Sequence, residues 1–128
     1  MAIESGTKQE MGIKTDVRVG ISIGDINGIG PEVIIKSLND TRMLTGCTPI
    51  IYGSSKALSF HKKTLKNDQE FNYESVNSVE EAKNQKVNVI NIWSDELVFN
   101  IGEATEKGGQ YAFEALESAT KDLASGKI

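Results

Sequence analysis

The sequence predicts an α/β fold, a parallel-rich sheet covered by helices. Three observations carry this. Short apolar runs alternate with helical patterns in the order strand, helix, strand, helix, the order that builds a parallel sheet with crossover helices. The first run passes into a helical pattern through a glycine-rich turn, Gly24-Asp25-Ile26-Asn27-Gly28-Ile29-Gly30-Pro31-Glu32. A strongly apolar run ending at Trp93 precedes the longest helical stretch of the chain. At 128 residues there is room for one small domain.

Taken in order, residues 1–16 are polar and mixed, and are expected to be a disordered lead-in. Val17, Val19, Ile21 and Ile23 alternate, which predicts a strand over about 17–23. Val33, Ile34, Ile35 and Leu38 predict a helix over about 31–39. Pro31 is expected at its first position, where a missing N–H costs nothing. Asn39, Asp40 and Gly46 bracket a loop, and Thr48–Gly53 reads as a buried second strand. Ser54 and Ser55 can cap a second helix at about 55–65, carrying Ala57, Leu58, Phe60 and Leu65.

Phe71–Val76 alternates as a short third strand. Ser78 with Glu80 and Glu81 predicts a brief helix with acids in its first turn. Val87–Trp93 is apolar on both faces in part, which predicts a central strand. Residues 94–103 read as a loop. Ala112, Ala115, Leu116, Ala119 and Leu123 then predict a helix from about Thr105 to Ser125, ended by Gly126. Gly108 and Gly109 near its start fit either a close approach of backbone or ligand, or a late helix start. A further strand is due after Gly126, so residues 17–128 are expected to be the N-terminal part of an α/β domain truncated at its C-terminal end.

Composition narrows the function classes. At 38% hydrophobic and 25% charged, the chain reads as an ordinary soluble protein. A net charge of −4 argues against nucleic acid or an anionic membrane as partner. No apolar run reaches membrane-spanning length, and residues 1–16 lack the apolar core of a secretory signal. The single Cys47 excludes an internal disulfide and fits a reducing, cytoplasmic compartment. It is expected to be a plain buried thiol.

The glycine turn is the main candidate for chemistry. Its closely spaced glycines allow a sharp turn and close ligand approach, and backbone N–H groups at the following helix start suit an anion. A tight structural connection is the other reading. The turn is neither the dinucleotide G-x-G-x-x-G fingerprint nor a P-loop. Asp25 suits an Asx turn, a cation or a ligand hydroxyl. His61, beside Lys62 and Lys63, is expected to be a partly exposed surface residue, and the patch of Lys62, Lys63 and Lys66 a solvated face. Glu80-Glu81 and Asp95-Glu96 are sequence neighbours, which do not face one another on a helix. Trp93, Tyr52 and Phe99 are expected to pack. By residue inventory the chain holds no self-contained active site and no metal ligands.

The run Val19–Val33, the block Thr48–Ser55, the strand ending at Trp93, Gly102 followed by Thr105, and Gly108-Gly109 opening a helix together resemble the 4-hydroxythreonine-4-phosphate dehydrogenase (PdxA) family. The resemblance covers roughly residues 17–128 and departs at Ile26-Asn27, where the family more often has Pro-Ala. It implies an incomplete part of an isocitrate/isopropylmalate dehydrogenase-like fold. It also implies oxidation and decarboxylation of 4-phosphooxy-L-threonine in pyridoxal phosphate biosynthesis, with NAD and a divalent metal (Zn, Mg or Co) as cofactors. The family is dimeric, with its site in a cleft between two domains. Its metal-binding histidines and substrate-contacting His-Thr pair lie beyond the helix that ends here, so no catalytic or metal residue carries over and the chain alone is expected to be inactive. Asp25, Asn27, Gly28 and Gly30 are expected to form a cleft-lining, cofactor-binding loop, contact with the substrate or with neither being the other readings. Other readings remain open: a dehydrogenase for a related four-carbon phosphorylated hydroxy acid, a free-standing module binding phosphate or nucleotide at the loop, or a phosphate acyltransferase of related architecture.

Overall fold

The alternating run after Val17 extends as strand β1, Arg18–Ser22. It leads through the glycine turn into helix α1, Gly30–Leu38. Gly30 takes the first helical place and Pro31 the next, one residue later than the pattern predicts. A substituent on Gly30 would stand 2.8 Å from the Ile23 carbonyl oxygen, so only glycine lets the helix start this close to the strand it leaves. The segment after Asn39, expected as plain loop, is a 3-10 turn over Thr41–Thr45. Asp40 caps it, its Oδ1 accepting the Arg42 N–H at 3.0 Å.

Strand β2, Thr48–Gly53, is buried along its whole length. Helix α2, Ser55–Thr64, starts as the sequence suggests, Ser54 Oγ accepting the N–H groups of Lys56 and Ala57 at 3.1 and 3.4 Å. Strand β3, Glu74–Val76, a 3-10 turn at Val79–Glu81, strand β4, Asn88–Asn91, and helix α3, Glu106–Ala124, follow. These come from a computed structural model that describes residues 17–65, 70–94 and 96–128. The expected lead-in at 1–16, Lys66 and Asp95 lie outside the described residues.

The four strands form one wholly parallel sheet in the order β1-β2-β4-β3, with Ile21 opposite Ile51, Ile51 opposite Val89, and Ser75 opposite Val89. The central place expected for β4 is the one it occupies. Right-handed crossovers dictate which face each helix covers. The steps β1 to β2 and β2 to β3 run one way across the sheet, so α1 and α2 share a face. The chain doubles back from β3 to β4, and α3 packs across β2 and β1 on the other face. Tyr52, fully buried on β2, ties the sheet to that helix, its hydroxyl donating to Asp122 Oδ2 at 2.8 Å. Burial first, then this contact, pushes the tyrosine pKa far above its ordinary value.

The core gathers Ile23, Ile50, Ile51, Leu58 and Val89 between these layers. Cys47 departs from expectation. It sits between the 3-10 turn and β2, is half-exposed, and its Sγ donates to the Met43 carbonyl at 3.6 Å. Among the described residues no helix is long and apolar enough to cross a membrane.

Candidate functional site

In a parallel sheet the strand ends that point the same way carry the connecting loops, and ligands bind at the carboxyl ends. Here the carboxyl end of β1 opens into residues 24–29, and that of β4 into the long connection that reaches α3. Asp25 caps its own turn. Its Oδ1 accepts the Asn27 N–H at 2.9 Å, and its carbonyl accepts the Gly28 N–H at 2.9 Å. Asp25, Gly28 and Gly30 are half-buried, with surface left open.

Asn27, expected to meet the cofactor with the other three, is 2% exposed and turned inward. Its Oδ1 accepts the Asn100 N–H at 2.8 Å, its carbonyl accepts the Gly102 N–H at 2.9 Å, and its Nδ2 donates to Thr105 Oγ1 at 3.3 Å. Thr105 Oγ1 in turn caps α3, accepting the Gly108 N–H at 2.9 Å. One asparagine thus joins the glycine turn, the β4–α3 connection and the N-terminus of α3. Of the two readings open for Gly108, the structure shows the close approach. A β-carbon there would stand 2.8 Å from Asp25 Oδ1 and 3.1 Å from Asn27 Nδ2. The Asp25 carboxylate therefore lies against the first turn of a helix, where the helix dipole favours negative charge.

His61 does not lie on the surface. It is 5% exposed, and its Nε2 lies 2.6 Å from the carbonyl oxygen of Ile26, itself 1% exposed. A carbonyl only accepts, so the proton sits on Nε2. The ring meets Phe60 and Phe99 edge-on, and those two rings stack at 4.0 Å. The signal was present in the sequence: His61 stands four residues after Ala57 and three after Leu58, on the apolar stripe of α2. Its basic neighbours Lys62 and Lys63 masked that stripe.

On the far side of the turn, Trp93 leans on Tyr111 of α3 with centroids 4.6 Å apart, and Lys107 Nζ lies 5.2 Å from the Tyr111 ring centre. The indole N–H of Trp93 is buried without a hydrogen-bond partner. Among the described residues no three His, Cys, Asp or Glu side chains cluster as a metal site would need. Glu32 pairs with Lys36 at 2.6 Å in an exposed contact one helical turn long. The arrangement supplies a glycine-lined wall with one carboxylate at its rim.

The family model described as Pyridoxal phosphate biosynthetic protein PdxA matches residues 45–128. A 4-hydroxythreonine-4-phosphate dehydrogenase of Bacteroides thetaiotaomicron is 41% identical over 112 residues, covering 88% of this chain and 30% of that protein. A protein of Oceanobacillus iheyensis, provisionally named D-threonate 4-phosphate dehydrogenase, is 33% identical, covering 86% of this chain and 33% of its own. The crystal structure of a 4-hydroxythreonine-4-phosphate dehydrogenase from Burkholderia phymatum superposes with a TM-score of 0.74 at 25% identity, over 90% of this chain and 35% of that one. The chain spans about a third of the length of the curated relatives it matches.

Proposed function

The chain belongs to the PdxA family, and from that premise we propose that it is the N-terminal portion of an NAD-dependent, divalent-metal-dependent dehydrogenase. Its substrate is 4-phosphooxy-L-threonine, which it oxidises and decarboxylates in pyridoxal phosphate biosynthesis. The observation that carries the reading is the 41% identity to the Bacteroides enzyme across nearly the whole chain. The fold, matched over about a third of the Burkholderia enzyme, supports it.

Within that reading Asp25, Gly28 and Gly30 line one wall of the cleft and meet the cofactor, while Asn27 holds the wall in place. Ile29 places no side-chain cap on α1, which leaves the helix start to a ligand within this reading. Asp25 and Glu32 nearby disfavour a bare phosphate and suit a ribose hydroxyl. NAD, when bound, accepts the hydride. Among the described residues no three His, Cys, Asp or Glu side chains stand together at Asp25 to hold a metal. On the family resemblance, the metal ligands and the groups that move protons are assigned to the part of the family's length outside this chain. Homodimerisation belongs to the same proposal.

A second reading takes D-threonate 4-phosphate as substrate, which the Oceanobacillus relative favours. The test is NADH formation. The 128-residue chain with NAD, a divalent cation and 4-phosphooxy-L-threonine is expected to form none, and turnover would overturn the assignment of the chemical groups to other parts of the enzyme. The enzyme from the full reading frame is expected to turn over 4-phosphooxy-L-threonine. Turnover of D-threonate 4-phosphate alone would select the second reading, and turnover of neither would defeat both.

A further inference from the structure

The peptide bond between Ile26 and Asn27 is held at both ends by side chains. Its carbonyl takes the Nε2–H of His61 at 2.6 Å, and its N–H is given to Asp25 Oδ1 at 2.9 Å. A trans peptide is planar, so fixing where the carbonyl points also fixes where the N–H points. The histidine cannot easily swing away. Phe60 and Phe99 meet its ring edge-on, with centroids at 5.6 and 6.1 Å. Water is a poor substitute as donor, because Ile26 and His61 are 1% and 5% exposed. Without the imidazole the Ile26 carbonyl would be buried and unpaired.

We infer that His61 is a positioning residue for the Asp25 carboxylate, acting through the Ile26–Asn27 peptide plane. The imidazole sets the plane, the plane aims the Asn27 N–H, and that N–H holds Oδ1 against the first turn of α3 beside Gly108. Both the neutral Nε2–H tautomer and the imidazolium donate from Nε2, so the latch does not depend on the histidine's charge. That Asp25 then meets a ligand rests on the function proposed above; the positioning does not.

Amide hydrogen exchange on the 15N-labelled 128-residue chain tests it. His61→Phe keeps a ring beside the stacked Phe60 and Phe99 but has no donor, whereas His61→Gln keeps an N–H near the place of Nε2. In His61→Phe the Asn27 amide is expected to exchange about tenfold faster, the loss of roughly one hydrogen bond. The Ile51 and Tyr52 amides of β2 report whether the fold survives. His61→Gln is expected to restore most of the Asn27 protection. Unchanged protection in His61→Phe would overturn the inference. So would a His61→Gln chain no better protected at Asn27 than His61→Phe, which would mean that packing alone matters. Titrating NAD into the same samples separates the two ideas: a glycine loop untouched by NAD counts against the proposed cofactor contact and leaves the exchange result standing.

Discussion

Asp40 shows what a single exposed side chain can and cannot do. It caps the 3-10 turn through Oδ1 and binds the Arg42 guanidinium through both oxygens, at 2.7 to 3.1 Å. The hydrogen bond from Arg42 holds its carboxyl at about 2, below the ordinary 3.8. Because the folded value is the lower one, the contact stabilises the chain above pH 3.8 and loses that contribution as pH falls through about 2. Both groups are exposed, so salt screens the gain. An NMR titration of the Asp40 side chain is expected to find its midpoint near 2 at low ionic strength, moving towards 3.8 in Arg42→Ala. A midpoint already at 3.8 in the unaltered chain would refute the contact. The turn that Asp40 nucleates was only partly legible in the sequence. Asp40 announces a cap, but Thr41–Thr45 lacks a helical apolar stripe to show what it caps. His61 was misplaced for the opposite reason, since a charged neighbourhood hid a stripe that was present.

Elements, by contrast, could largely be read in advance. β1, β2, β4, α1, α2 and α3 fall within a few residues of their expected spans, because β1 and the helices carry period-2 or period-3.6 apolar patterns and β2 and β4 are short apolar runs. β3 covers Glu74–Val76, half of the run that alternates, since only that half pairs with β4. The contacts between elements were not legible. Nothing in the sequence says that the first turn of α3 rests on Asp25, because 83 positions separate Asp25 from Gly108. That contact yields a paired prediction. Alanine for an exposed helical glycine gains about 1 kcal/mol. Gly109 has open space around its missing side chain, so Gly109→Ala is expected to raise stability by about that much. Gly108 has Asp25 Oδ1, Thr105 Oγ1 and Asn27 Nδ2 within 3.1 Å of the same atom, so Gly108→Ala is expected to lower stability instead. Urea denaturation of the two variants checks the sign. Equal gains would show that α3 does not need to sit this close.

At the scale of the molecule, one side of the sheet lacks a cover. β1 is an edge strand; Val19 on it and Val17 just before it are 43% and 40% exposed. Leu116 and Leu123 of α3 stand 55% and 63% exposed beside a groove that Gly20, Ser22 and Ile128 also line. An open apolar edge invites strand addition. The 128-residue chain is expected to associate as its concentration rises, and Val19→Lys to suppress this, both read by sedimentation velocity. A monomer that stays monomeric at high concentration would refute it. The bonds of Asn27 have a consequence in time. Its partners Asn100 and Thr105 lie 73 and 78 residues downstream. A ribosome adding about 5–20 residues per second therefore needs roughly 4–16 s after making Asn27 to make them. Until then the turn has its glycines and its Asx bond but no clamp. The nascent chain thus carries its most recognisable sequence motif unfinished over that interval, and the motif takes its final shape only when the start of α3 leaves the exit tunnel.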